Sequence, residues 1–119
     1  MVSTILNKTE TTAEVKFDSN NCKIEINGIF IPENPVQIFN ELKQKTFEIF
    51  KKCNNPQLHI VLDYFNTASA KHLLEYLQAS IKEFSIDIFW YYQNDDEDIL
   101  EAGKDYEYLI GQEFTFIIL

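Results

Sequence analysis

Residues 58–77 read LHIVLDYFNTASAKHLLEYL, and the period of the apolar residues changes halfway along. The first half, Leu58 to Phe65, is a dense run of β-branched and aromatic residues. It is bounded by Asn54-Asn55-Pro56 on one side and Asn66-Thr67 on the other, which predicts a buried strand. In the second half Ala70, Leu73, Leu74, Leu77 and Ile81 recur at three- and four-residue steps, one face of a helix. Between the halves lies Asn66-Thr67-Ala68-Ser69, a polar hinge of residue types that cap helices. A helix N-terminus offers unpaired amides and a partial positive charge, and both suit an anion such as phosphate. Thr67 is therefore either an ordinary N-cap or a residue that carries a phosphoryl group.

Outward from this stretch, the pattern is regular. Ala13, Val15 and Phe17 alternate with polar residues, as do Cys22, Ile24 and Ile26; with Ser19-Asn20-Asn21 between them they predict an antiparallel hairpin. Met1 to Thr11 is polar and reads as a flexible arm with a little strand around Thr4-Ile5-Leu6. Asn34 as N-cap and Pro35 at the first helical position start a helix that runs to about Lys52. Phe39, Leu42, Thr46, Ile49 and Phe50 mark its inner face. Ile86 to Tyr92 is a further strand, and a third helix runs from Asp95 or Asp96 to Leu109. Its inner face is Ile99, Leu100, Tyr106, Leu109 and Ile110. Gly103 is a weak point there by propensity, a place for a kink or early break. Phe114 to Leu119 closes the chain as a strand.

The predicted order is ββαβαβαβ: an α/β fold with one mixed sheet, an N-terminal hairpin and three helices covering the sheet, in a single domain spanning 1–119. If the central strands run parallel, Pro32–Pro35, Phe65–Lys71 and Gln93–Asp98 share the carboxyl edge of the sheet, where open α/β sheets place their sites. That groups Glu33, Asn34, Asn66, Asp95, Asp96 and Asp98 around Thr67 as the expected partner surface. The acidic run 95–98 is explained by helix-start electrostatics, with a partner-facing patch as the functional alternative. It lacks the glycine of a calcium loop, and no metal site is expected. His59 reads as a satisfied core histidine and His72 as a surface one. No nucleophile elbow, P-loop or dinucleotide loop is present, so no cofactor is expected and the chain does not read as an enzyme.

The chain has 119 residues and a net charge of −9. That charge argues against nucleic acid and anionic membranes as partners. No apolar run is long enough to span a bilayer and no signal peptide opens the chain, which points to the cytoplasm. Cys22 and Cys53 show neither zinc spacing nor a disulfide framework, so both are expected as reduced thiols.

The strings LDYFNTASAKHLLEYL, IPENP upstream and DEDILEAGKDYEYL downstream resemble the SiaC family of bacterial regulatory phosphoproteins, which are STAS-like and similar to anti-sigma-factor antagonists. The resemblance covers about Ile24 to the C-terminus, and YFNT-x-SAK is its most specific part. It implies that Thr67 is phosphorylated by a partner kinase and cleared by a metal-dependent phosphatase. It also implies that the unphosphorylated form binds and activates a diguanylate cyclase, in cyclic-di-GMP signalling and biofilm regulation. Asp98, Glu101 and Asp105 match family acids. The family form has two serines after the threonine; Ala68 departs from it, so a hydroxyl at 68 is absent. On this reading the amides of Ser69, Ala70 and Lys71, with the Lys71 ammonium, receive the phosphoryl group. Two rivals stand beside it: an anti-sigma partner switch, and a small enzyme or ligand-binding domain using Glu33, Asp63 and the 95–98 acids.

Overall fold

A computed structural model describes residues 1–119. The elements are β1 (Val2–Leu6), β2 (Glu14–Asp18), β3 (Lys23–Phe30), α1 (Pro35–Phe50), β4 (Gln57–Phe65), α2 (Thr67–Glu83), β5 (Asp87–Tyr92), α3 (Glu97–Ile110) and β6 (Thr115–Ile118). The six strands form one sheet in the order β1-β2-β3-β4-β5-β6. β1, β2 and β3 pair antiparallel, whereas β3, β4, β5 and β6 pair parallel. The single mixed sheet with three helices is the fold expected from the sequence, with one strand more at the start. The segment expected as an arm contributes β1, paired through Val2–Asp18, Ser3–Phe17 and Leu6–Val15. Leu6 is buried there, and one inward apolar residue on a short edge strand leaves little periodicity to detect.

Strand order never reverses, so right-handed crossovers put all three helices on one face. On that face β4 presents Leu58, Ile60 and Leu62, and β5 presents Ile88 and Trp90, all at most 4% exposed. Leu73 and Leu77 of α2, and Phe39, Leu42 and Phe50 of α1, cover them. A polar contact lies within this layer: Thr46 Oγ1 and Tyr76 Oη are 2.8 Å apart between α1 and α2. Burial pushes the Tyr76 phenol well above its ordinary range. Leu109, expected inward, is exposed instead. The inner face of α3 is set by Ile99, Gly103 and Tyr106, three and four residues apart, and Leu109 falls off that stripe.

The cysteines correct a second expectation. Cys22 and Cys53 are joined as a disulfide, with Cα atoms 6.0 Å apart. Cys22 is buried in step with Ile24 and Ile26, as expected, but it lies one residue before β3, at the end of the turn, with φ 50°. No local motif announces the pair, because α1 and the parallel β3–β4 pairing bring the two positions together at the amino edge of the sheet.

The other sheet face carries no helix. There His59 stacks on Phe89 at 4.2 Å between centroids, with Nδ1 2.8 Å from Tyr91 Oη and Nε2 2.9 Å from Gln57 Oε1. It is the satisfied structural histidine expected. Burial first, and the Lys23 charge second, lower its pKa from 6.5 to about 4. The unfolded chain therefore binds a proton more readily than the folded one between those values. Stability from this group is full above pH 6.5 and is lost as pH falls towards 4. Urea melts at pH 7.5 and 5.0 should show a larger fall for wild type than for His59→Gln. Equal falls would exclude the effect.

Candidate functional site

The carboxyl ends of β3, β4 and β5 meet at one edge, as the parallel pairing requires. Three βα turns follow them, and each ends in a side-chain cap. Asn34 Oδ1 accepts from Val36 N at 3.2 Å, Asn66 Oδ1 from Ser69 N at 2.9 Å, and Asp96 Oδ1 from Ile99 N at 3.1 Å. Each cap satisfies an amide that the helix itself leaves free. Three residues of the expected partner surface, Asn34, Asn66 and Asp96, thus have structural work at this edge. Glu33, Asp95 and Asp98 are exposed there. The acids Asp95 to Asp98 line an open depression of about 420 Å³.

Asn66 does more than cap. Its amide donates to Phe30 O at 2.9 Å, and its Nδ2 donates to Pro32 O at 3.4 Å. The turn after β4 is thereby fastened to the turn after β3. Beside it the β3–β4 pairing steps from Gly28–Leu62 to Ile29–Tyr64, leaving Asp63 as the extra residue of a bulge. A bulge re-aims the residues that follow it, and here it leaves Tyr64 58% exposed, next to the hinge. Asp63 is exposed on this bulge.

Thr67 is the first residue of α2 and is exposed. The hydroxyl of Thr67 is therefore not the cap of α2; Asn66 is. Asn66→Ala removes the cap and the tie to Pro32, and should cost about 1–2 kcal/mol. Thr67→Ala removes an exposed hydroxyl and should stay within about 0.5 kcal/mol of wild type. Thermal melts of the two variants check this; a Thr67→Ala cost as large as that of Asn66→Ala would contradict the assignment of the cap.

The expected phosphate receivers also need revision. Ser69 N is taken by Asn66 Oδ1 and Ala70 N by Asn66 O at 3.0 Å. In α-helical geometry the amide of Lys71 belongs to the carbonyl of Thr67. The amides without an intrahelical acceptor are those of Thr67 and Ala68. Lys71 is exposed, with Nζ 4.0 Å from Glu75 Oε1. Ser69 is fully buried, and its Oγ is without a hydrogen-bond partner. Tyr106 Oη donates to Ala70 O at 2.6 Å, which fixes α3 against the first turn of α2.

The strand order bears on the rival reading. Ligand crevices in open α/β sheets form where strand order reverses and neighbouring helices diverge to opposite faces. This sheet has no such reversal, so the edge offers a surface of turns rather than a crevice. No three His, Cys, Asp or Glu side chains converge to hold a metal ion.

The family model for SiaC family regulatory phosphoproteins matches residues 6–119. The chain belongs to the SiaC family. The fold of this family member agrees with solved structures over nearly the whole chain. "SiaC of Pseudomonas aeruginosa" aligns with a TM-score of 0.74 at 19% identity, covering 98% of both chains. Apo-SiaC from the same organism gives 0.73 at 20% identity, covering 98% of this chain and 99% of that one. A chain in the crystal structure of the diguanylate cyclase SiaD in complex with its activator SiaC, also from Pseudomonas aeruginosa, gives 0.80 at 18% identity. That match covers 96% of this chain and 98% of the other. No curated protein is significantly similar in sequence. No helix of this family member is long and apolar enough to cross a membrane.

Proposed function

We propose that this protein is a non-catalytic signalling switch governed by reversible phosphorylation of Thr67. The unphosphorylated form binds and activates a diguanylate cyclase, a protein kinase adds the phosphoryl group, and a metal-dependent phosphatase removes it. The observation that carries this reading is the position of Thr67. It is exposed at the first turn of α2, and it is bracketed by a cap that Asn66 already supplies. The hydroxyl is thus free of structural duty and open to an enzyme.

Phosphorylation adds about −1.5 to −2 charges and three strong acceptors. The free amides of Thr67 and Ala68 lie closest in the chain to the new group, and the positive end of the α2 dipole favours it. The fold therefore tolerates the modification. The surface changes instead: an uncharged hydroxyl three residues from exposed Tyr64, at an edge that already carries Glu33, Asp63 and the 95–98 acids, becomes anionic, and a partner that covers it must bury a further charge.

The test is reconstitution with the cyclase encoded in the same genome. The unmodified protein should raise cyclic-di-GMP synthesis, and protein phosphorylated at Thr67, verified by intact mass, should not. Stimulation of the cyclase by both forms alike would reject the proposal.

A further inference from the structure

We propose that Cys22 and Cys53 form a reversible thiol–disulfide site at the amino edge of the sheet, in which Cys53 is the sulfur that exchanges with a low-molecular-weight thiol. Three observations carry it. First, the only two cysteines of the chain, 31 residues apart in sequence, meet with a Cα separation of 6.0 Å, within the range a disulfide spans without backbone movement. Second, the two sulfurs are unequal in access. Cys22 is 8% exposed, tucked under the turn whose carbonyl accepts from Gln57 N at 2.9 Å. Cys53 is half-buried and lines an open depression of about 520 Å³, floored by Phe50 and Phe84 and rimmed by Asn54, Asn55 and Ser85. Third, the flanking charge is cationic in a strongly acidic protein: the chain reads Lys51-Lys52-Cys53 and Cys22-Lys23, with asparagines on the other sides. The carboxyl end of α1 disfavours a thiolate at Cys53, and Lys51 and Lys52, both exposed, are the cations nearest to it in the chain.

A thiolate RS⁻ in the depression attacks Cys53 Sγ, the S–S bond breaks, and Cys22 leaves as its thiolate. The product is RS–S–Cys53. A second RS⁻ attacks the outer sulfur, releasing RSSR and the Cys53 thiolate. In the oxidising direction, Cys53 attacks RSSR and expels RS⁻; Cys22 then attacks the mixed disulfide at Cys53 and expels the second RS⁻. The ligand class is a small hydrophilic thiol, for which Asn54, Asn55 and Ser85 along the depression supply hydrogen-bonding groups. The ring closed by the bond contains β3 and α1, so the redox state sets how firmly these elements are held together.

The probe is glutathione on the full-length chain. Reduced protein is mixed with oxidised glutathione, quenched in acid at intervals, alkylated and peptide-mapped. Glutathione should appear first on Cys53, then vanish as the internal disulfide forms and both alkylation sites disappear. Cys22→Ser should accumulate a stable adduct on Cys53, and Cys53→Ser should modify Cys22 about tenfold more slowly while folded. Reduction should lower the Tm of the wild type by about 10 °C. If either serine variant fails to fold, the order of adducts on the wild type still decides. A first adduct on Cys22, two thiols that stay alkylatable in excess oxidised glutathione, or a Tm indifferent to reduction would overturn the proposal.

Discussion

Gly103→Ala is expected to destabilise the protein by about 2–3 kcal/mol, although alanine is the better helix former. A Cβ at this position would lie 2.6 Å from Trp90 Cδ1 and Nε1, and 2.8 Å from Cε2. No such contact is sustainable, so either the indole or α3 must shift. Neither is free to do so. Trp90 is fully buried, edge-on to Tyr106 at 5.7 Å and stacked near Phe114 at 6.3 Å. Its Nε1 donates to Ile99 O at 2.9 Å, on α3 itself. The helical gain from alanine is roughly 1 kcal/mol, whereas forcing a rigid ring out of a packed site costs more and strains a buried hydrogen bond. Sterics win. In chemical denaturation the Gly103→Ala, Trp90→Phe double variant should be less destabilised than the sum of the singles, because the smaller ring clears the methyl. A neutral or stabilising Gly103→Ala would show that the helix does not rest on the indole.

Gly103 also shows where sequence reading stops. Propensity marks it as a place for α3 to break, yet α3 is continuous from Glu97 to Ile110. The glycine serves a contact 13 positions away, which no local pattern encodes. The Leu58–Leu77 stretch was legible for the opposite reason. The β4 run and the α2 stripe are each long, and the hinge between them has cap chemistry, so pattern and propensity agree. The gathering of three turns at one edge was legible too, because parallel strands with helical crossovers leave little choice. The disulfide was not legible, since it depends on where α1 delivers Cys53 after a full traverse of the sheet.

At the site, the family motif marks Thr67, but only the fold distinguishes the cap. Asn66 and Thr67 are both good cap residues. Only the reach of Asn66 to Ser69 N, Phe30 O and Pro32 O separates them. The same geometry gives the amides of Ser69 and Ala70 acceptors within the chain. Their amides lie at the right end of the helix, but one residue position decides whether an amide is free or already satisfied.

Phosphorylation of Thr67 is expected to weaken binding to the proposed cyclase partner by about 100-fold, roughly 3 kcal/mol, with the fold intact. The estimate rests on charge desolvation. An exposed neutral residue becomes a dianion, and an interface that covered it must strip the phosphoryl group of water with only the Thr67 and Ala68 amides beneath it. Thr67→Glu carries one charge and two acceptor oxygens on a different stem, so about tenfold is expected of it. Thr67→Ala keeps the position uncharged. Because Asn66 holds the cap, this variant should bind like wild type and melt like wild type. That last point gives the series its power: a hydroxyl that served the helix would confound loss of binding with loss of stability, and here the two separate. Binding of the four forms to the cyclase by calorimetry, beside their thermal melts, reads out both. Equal affinities across wild type, Thr67→Ala, Thr67→Glu and phosphorylated protein, all folded, would remove Thr67 from the interface. Weakening confined to Thr67→Ala would point to a hydrogen bond from the hydroxyl to the partner in place of a charge switch.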